Sequence, residues 1–401
     1  MLAITAPSRP VHVRIDLPGS KSVANRAILC ASLAGTPEVV SGVPGADDTR
    51  RSIAHLRERS QVMHCGAGGT TYRFLLAWAA VQEGEERLIT GDATLLARPH
   101  EHLVRALCTL GADIDSLLNG HLVRGRRLSG GPVVLEDAIS SQYLSALMLV
   151  APYMADGLRI TWRGRRLSRP YVEMTAAVMR HFGAEVEVGA ERIVVAPATY
   201  RSRAFTVPRD WSAAAFWYLV AALDRKASIE LPDLYRTGLQ GDEHVAEIFS
   251  GWVATVTTES GTTIRHREGP VPRSFDLTDT PDLFQPLAFA LAAMNEHVTI
   301  TGLDNLSHKE TDRIQAVRDA MSALGAEVTV EGHAFHLRKG IERGEPQAVL
   351  DPRGDHRMAM ALAPLALVCG RIRIGDPDVV AKSYPDFWAD LRRAGFGVGP
   401  S

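Results

Sequence analysis

Several stretches of the chain pass from a helical apolar period into strict alternation, with a glycine at the change. The clearest are LCTLGADID around Gly111, MRHFGAEVEV around Gly183 and MSALGAEVTV around Gly325; weaker versions are IFSGWVATV around Gly251 and RRAGFGV around Gly395. A 3.6-residue period followed by a period of two predicts a helix feeding a strand, and glycine suits the left-handed position that stops the helix. Successive glycines stand 72, 68, 74 and 70 residues apart, so the pattern implies one unit of mixed helices and strands, copied along the chain. Between the copies, ERIVVAP, HVTITGL and RIRIGDP predict short strands, while Ser141 to Met154 and Trp211 to Leu223 predict further helices. Five copies leave room for a sixth near the start. There TRRSIAHLRERSQVMHCG, Thr49 to Gly66, supplies a helix but hardly a strand pair, so that unit is expected to be shortened. The turn-rich run TYRSRAFTVPRDW before Trp211 is where the chain is expected to cross between two lobes of three units each.

Length and composition narrow the picture. With 401 residues and 46% hydrophobic content the chain can bury sizeable cores, in two or three domains. A formal net charge of −2 gives no bulk attraction to nucleic acid or to an anionic membrane, so any anion site must be local. No stretch approaches the roughly 20 apolar residues of a membrane span. The N-terminal MLAITAPSRPVHV lacks the pattern of a signal peptide, and the expected location is the cytoplasm. Cys30, Cys65, Cys108 and Cys369 form no CxxC, and the 14 histidines form no HExxH; neither a structural disulfide nor a metal is expected.

Local anion chemistry is visible at several helix starts. In LPGSKSVANRAILCASLAG, Leu17 to Gly35, Ser20 or Ser22 can cap a helix whose N–H groups face forward, Lys21 adds a charge, and Arg26 follows a turn later. The P-loop spacing fails, because Ser20 separates Gly19 from Lys21. In CGAGGTTYRFLL, Gly66, Gly68 and Gly69 admit a close ligand, Thr70 is the expected cap, and Arg73 falls one turn in. Arg98 precedes Pro99, which suits a first helical position. Ser140, Ser141 and Gln142 open another helix with three neutral hydrogen-bonding groups, and Ser168, Arg169 and Tyr171 open the next. The second half carries the ionisable groups: Asp279 and Asp282 before an apolar helix; Asn305, Lys309, Glu310, Asp312 and Arg313 within nine residues; Asp355, His356 and Arg357; and Lys382. Each could equally be a cap or a solvated charge. Together, Lys21, Arg26, Arg73, Arg98, Lys309, Arg313, Arg357 and Lys382 would be costly if buried without partners, and they call for anionic ligands.

The ordered motifs PGSKSxxNR, GTxxRF, ARP, SSQ, SRPY, TPD, KETDR, DHRMAMA and AKSYPDF, running from Leu17 to Trp388, resemble the 5-enolpyruvylshikimate-3-phosphate synthase family. The resemblance implies an α/β fold of two lobes, an inverse α/β barrel built from six βαβαββ units, one of them shortened here. The expected domains are 1–19 plus 211–401, completed by the N-terminal strand, and 20–210. It implies transfer of the enolpyruvyl group of phosphoenolpyruvate to the 5-hydroxyl of shikimate 3-phosphate, with release of phosphate, through a tetrahedral intermediate and without a cofactor. By motif matching, shikimate 3-phosphate would be held by Lys21, Ser22, Arg26, Ser140, Ser141, Gln142, Ser168, Asp282, Asn305 and Lys309. Phosphoenolpyruvate would be held by Lys21, Gly69, Thr70, Arg73, Arg98, Gln142, Arg313, His356, Arg357 and Lys382. Asp282 would take the hydroxyl proton, Glu310 would protonate the methylene carbon and later remove a proton, and Lys21 would assist. Both partners are small molecules, and a monomer is expected.

Two departures stand out. Ala67-Gly68-Gly69-Thr70 replaces the family's Asn-Ala-Gly-Thr, removing an amide donor near phosphoenolpyruvate, and the segment from Asp48 to Gly66 is short. The related UDP-N-acetylglucosamine enolpyruvyl transferases use a reactive cysteine and lack KETDR with DHRMA. The alternative of another class is a catalytically altered homologue that binds rather than turns over.

Overall fold

The structure, a computed structural model, describes residues 1–136, 140–165 and 167–401; Ala138 and Ile139 of the AISSQ stretch and Arg166 before SRPY lie outside the described residues. Two compact units emerge from the packing. One combines Met1–Pro18 with Pro208–Ser401, and the other is Gly19–Val207.

Each unit is centred on three helices that are apolar almost all round, as helices buried on every side must be. In Gly19–Val207 they are Lys21–Leu33, Gly69–Ala80 and Ser141–Val150, packed on one another. In the other unit they are Trp211–Leu223, Phe284–Ala293 and His356–Leu362. Trp211–Leu223 spans the residues that the pattern predicts. The helix from Ser141 is shorter than expected: it ends at Val150 and continues as a 3-10 turn, Ala151–Tyr153, where Pro152 cannot donate to the α-helical ladder.

Sheets flank these helices, and four of them share one connectivity. Strand Gly131–Glu136 runs parallel to Leu158–Arg163, which pairs antiparallel with the hairpin Val186–Val188 and Arg192–Val195. The same order recurs for Val62–His64 with Glu86–Thr90, for His12–Arg14 with Ser228–Pro232, and for Ser274–Asp276 with Val298–Thr301, each followed by its own antiparallel hairpin. A fifth sheet sets Leu2–Thr5 between Arg371–Ile374 and Gly397–Pro400, so the first strand of the chain fills the place of a hairpin strand. The sixth is only a parallel pair, Val40–Ser41 with Phe205–Thr206. Helix Asp47–Glu58 follows it, but Val62–His64 then joins the next sheet and no hairpin is built. Among the described residues every sheet stays open; none closes into a barrel.

Gly111, Gly183, Gly325 and Gly395 all take positive φ, between 80° and 104°, after their helices. Gly251 does not need that freedom. It is required because a Cβ there would stand 2.7 Å from the Pro270 carbonyl oxygen. No helix among the described residues is long and apolar enough to cross a membrane.

Candidate functional site

In both units the polar residues gather at the N-terminal ends of the three buried helices, where backbone N–H groups lack intrahelical partners. In Gly19–Val207, Lys21 opens its helix and its Nζ donates to Asp48 Oδ2 at 2.9 Å. Asp48 is itself buried and lies against the start of the second helix: a Cβ on Gly68 would meet Asp48 Oδ1 at 2.7 Å. That helix begins at Gly69, with Gly68 in the cap position, so Thr70 is inside the first turn and not the cap. The glycines leave room that Arg98 and Arg73 use: a Cβ on Gly69 would lie 3.0 Å from Arg98 Nη1 and 3.1 Å from Arg73 Nη1. Arg73 donates to Gln142 Oε1 at the start of the third helix, and its guanidinium lies 5.1 Å from the centre of the Tyr143 ring. Ser140 caps that helix by accepting from Gln142 N at 3.2 Å, and Ser141 is buried beside it.

Other sequence assignments take different forms. The Ser20 side chain makes no cap bond, although it occupies the cap position before Lys21. Pro99 does not start a helix; Glu101–Thr109 begins two residues later, because the Pro99 carbonyl is turned to accept from Tyr143 Oη and from Arg73 Nη2. Ser168 stands before helix Arg169–His181 at φ 59° and is buried. Arg26 points inward. Its donors go to Thr175 Oγ1 at 2.7 Å, the Ser22 carbonyl at 2.7 Å and Ser145 Oγ at 3.1 Å, and burial lowers its pKa to about 10. It ties three helices together in this structure.

The second unit concentrates the ionisable groups around Arg313, which opens helix Arg313–Ala323 and is almost fully buried. Its guanidinium divides among three carboxylates: Nε donates to Asp355 Oδ2 at 2.7 Å, Nη1 to Asp282 Oδ1 at 2.8 Å, and Nη2 to Glu310 Oε2 at 3.0 Å. Asp282 also accepts from Arg357 Nη2 at 2.8 Å and from Lys309 Nζ at 3.4 Å. Glu310 Oε1 accepts from Lys382 Nζ at 2.7 Å. Asp355 caps its own helix through Arg357 N at 2.8 Å, with buried His356 in the same turn; Asn305 is buried just before the 3-10 turn Leu306–His308. The cations are therefore not an uncompensated surplus. Carboxylates of the protein pair with Lys309, Arg313, Arg357 and Lys382 here and with Lys21 in the other unit, while Arg26 and Arg73 donate to neutral oxygens, since a buried cation stripped of its partner costs several kcal/mol.

This pairing sets the proton affinities. Burial would raise Asp282, but Arg357, Lys309 and Arg313 outweigh it and hold the carboxyl well below the usual carboxylate range. For Lys309, burial and the neighbouring arginines lower the pKa against the pull of Asp282. Arg313 goes the other way: burial is outweighed by Asp355, Glu310 and Asp282, and it stays charged. Asp242, absent from the sequence-derived set, belongs here too. It is buried, accepts from Ser212 Oγ, and is pushed up to about 6 by burial and by the Asp282 charge. The signal available for it was the QGD turn, Gln240 to Asp242, entering a helix like the other carboxylate clusters. Asp48 and Asp355 were equally legible as helix-start acids, but nothing in the sequence tied them to Lys21 and Arg313.

Comparison with known proteins gives a consistent picture. The model of the family described as EPSP synthase (3-phosphoshikimate 1-carboxyvinyltransferase) matches residues 5–60 and 56–391. A 3-phosphoshikimate 1-carboxyvinyltransferase of Bacteroides fragilis strain YCH46 is 40% identical over 404 residues, covering 98% of each chain. One from Methanosphaerula palustris is 32% identical, covering 96% of this chain and 97% of the relative. The solved EPSP synthase of Acinetobacter baumannii superposes with a TM-score of 0.77 over the full length of both chains at 23% identity, a likeness of fold.

Proposed function

The chain belongs to the EPSP synthase family, and on that premise we propose how its own residues carry the reaction. The protein transfers the enolpyruvyl group of phosphoenolpyruvate to the 5-hydroxyl of shikimate 3-phosphate and releases inorganic phosphate, a step of the shikimate pathway.

In the addition step the 5-oxygen bonds to C2 of phosphoenolpyruvate, its proton leaves, and C3 gains a proton to become a methyl group. In the elimination step the C2–O bond to phosphate breaks and C3 gives up a proton, restoring the double bond. Asp282 is assigned the hydroxyl proton and Glu310 both transfers at C3, with Lys21 assisting. The observation that carries this reading is the Arg313 guanidinium, which holds Asp282 and Glu310 through adjacent nitrogens and thereby fixes the separation of two proton-handling groups. Ionised and paired as it is, Asp282 is a weak base. An incoming carboxylate and phosphate supply alternative partners for Arg357, so bound phosphoenolpyruvate raises the proton affinity of Asp282 as it binds. Shikimate 3-phosphate is assigned to Lys21, Ser22, Ser140, Ser141, Gln142, Ser168, Asp282, Asn305 and Lys309. Arg26 enters this set only if the ligand displaces Ser22 O, Ser145 or Thr175 from it.

We place the protein in the cytoplasm as a monomer; sedimentation at micromolar concentration checks the second point. For the roles themselves, Glu310→Gln and Lys21→Met are expected to lose most turnover while keeping the far-ultraviolet spectrum and melting transition. Near-normal rates in both variants would remove the assignment.

A further inference from the structure

The segment between Ala93–Leu96 and Glu101–Thr109 carries Arg98 on no regular element, yet that side chain must hold a place beside Gly69. What fixes the segment is His100. Its ring is 3% exposed and stacks on Tyr72, centroids 4.4 Å apart at 30°. Its Nε2 stands 3.0 Å from the Leu95 carbonyl, which can only accept, so Nε2 carries the proton and the bond ties the two ends of the segment together. Tyr72 is anchored in turn. Its hydroxyl donates to the Ile89 carbonyl at 3.3 Å and shares a 2.5 Å hydrogen bond with His121 Nδ1, and the His121 ring stands edge-on to His100 at 6.1 Å. From the closed segment, the Pro99 carbonyl accepts from Tyr143 Oη and Arg73 Nη2, and Arg98 reaches Gly69.

We propose that His100 is a positioning residue for the anion site, holding Arg98 and Arg73 in one fixed geometry through the Leu95–Pro99 segment. The inference rests on the assignment of these arginines to phosphoenolpyruvate. The groups facing the ring are Tyr72, Arg73, His121 and Glu101, whose Oε2 accepts from His100 N at 3.1 Å. Burial, then Arg73, lowers the His100 pKa to about 4, so the ring stays neutral and leaves the positive charge to the arginines.

The test compares His100→Phe, which keeps the stack and loses the donor, with His100→Gln, which keeps an N–H donor. Steady-state kinetics are measured for each substrate with the other saturating, and calorimetric titration with inorganic phosphate is run in parallel. His100→Phe is expected to raise KM for phosphoenolpyruvate about tenfold, the value of one lost hydrogen bond, with KM for shikimate 3-phosphate within about twofold. His100→Gln restores most of the difference, and the weakening for phosphate is the same about tenfold. Unchanged phosphoenolpyruvate and phosphate affinities in His100→Phe, or equal losses for both substrates in both variants, would overturn the proposal. Wild-type protein without turnover would sink the substrate assignment instead, and the phosphate titration would still decide the role of His100.

Discussion

Arg313 serves three carboxylates from one planar group, and lysine cannot reproduce that fork. Arg313→Lys is expected to leave Asp355, which has no exposed surface, short of a charged partner, destabilising the fold by about 3–5 kcal/mol. Turnover falls by more than the folded fraction, because Asp282 and Glu310 lose their common holder; denaturant titration beside single-turnover kinetics separates the two effects. Asp242 gives a pH-dependent outcome. Its folded pKa of about 6 lies above the value of 3.8 for a free aspartate. Between those pH values the folded chain keeps a proton that the unfolded chain has lost. The group's contribution to stability is therefore complete below about pH 4 and lost as pH rises through about 6. Asp242→Asn removes that loss. Its unfolding free energy from urea titration is expected to equal the parent's near pH 4 and to exceed it at pH 7.5 by up to about 3 kcal/mol; an identical difference at both pH values would contradict this. Asp282, held low by its cations, acts in the opposite sense: its contribution is present above the free-aspartate value and disappears as pH falls through its lowered pKa.

Among the elements, the glycine-led start of Gly69–Ala80 shows how one helix end divides structure from ligand contact. At Gly68 an added Cβ meets Asp48 Oδ1 at 2.7 Å and the Cys65 carbonyl at 3.0 Å, and the backbone there cannot yield cheaply. Gly68→Ala should lower stability by about 1–3 kcal/mol. At Gly69 the nearest atoms are the ends of Arg98 and Arg73, which can move. Gly69→Ala should therefore keep its melting temperature and raise KM for phosphoenolpyruvate, and a mutant with the reverse profile would mean that this end does not face the ligand. Elements of this kind were readable where the local pattern alone decides them. Trp211–Leu223 is apolar on every face and capped by Asp210, so its limits follow from the chain. Glu101–Thr109 starts late because of what the Pro99 carbonyl bonds to across the fold, and Gly251 is needed for contact with Pro270 and not for its φ; neither cause is local. The site followed the same division. Charges at helix starts were visible, but their mutual neutralisation through Asp48 and Asp355 depends on which starts the fold brings together.

For the whole molecule, the roughly 70-residue period announced the recurring strand and helix order, while the discontinuous unit, Met1–Pro18 with Pro208–Ser401, depends on Leu2–Thr5 pairing with strands 366 to 398 residues away. The hairpin missing after Asp47–Glu58 was legible because too few residues remain before Gly66 to build it. Under the proposed assignment, shikimate 3-phosphate should slow amide exchange at the starts of Lys21–Leu33 and Ser141–Val150. Unchanged exchange at both helix starts would reject the assignment of Lys21, Ser22, Ser140, Ser141 and Gln142. Most direct is phosphate release from phosphoenolpyruvate by the purified protein, measured with and without shikimate 3-phosphate. Enolpyruvyl transfer requires release only when both are present, with one enolpyruvyl product formed per phosphate; phosphate freed without the acceptor, or none freed with it, would contradict that chemistry.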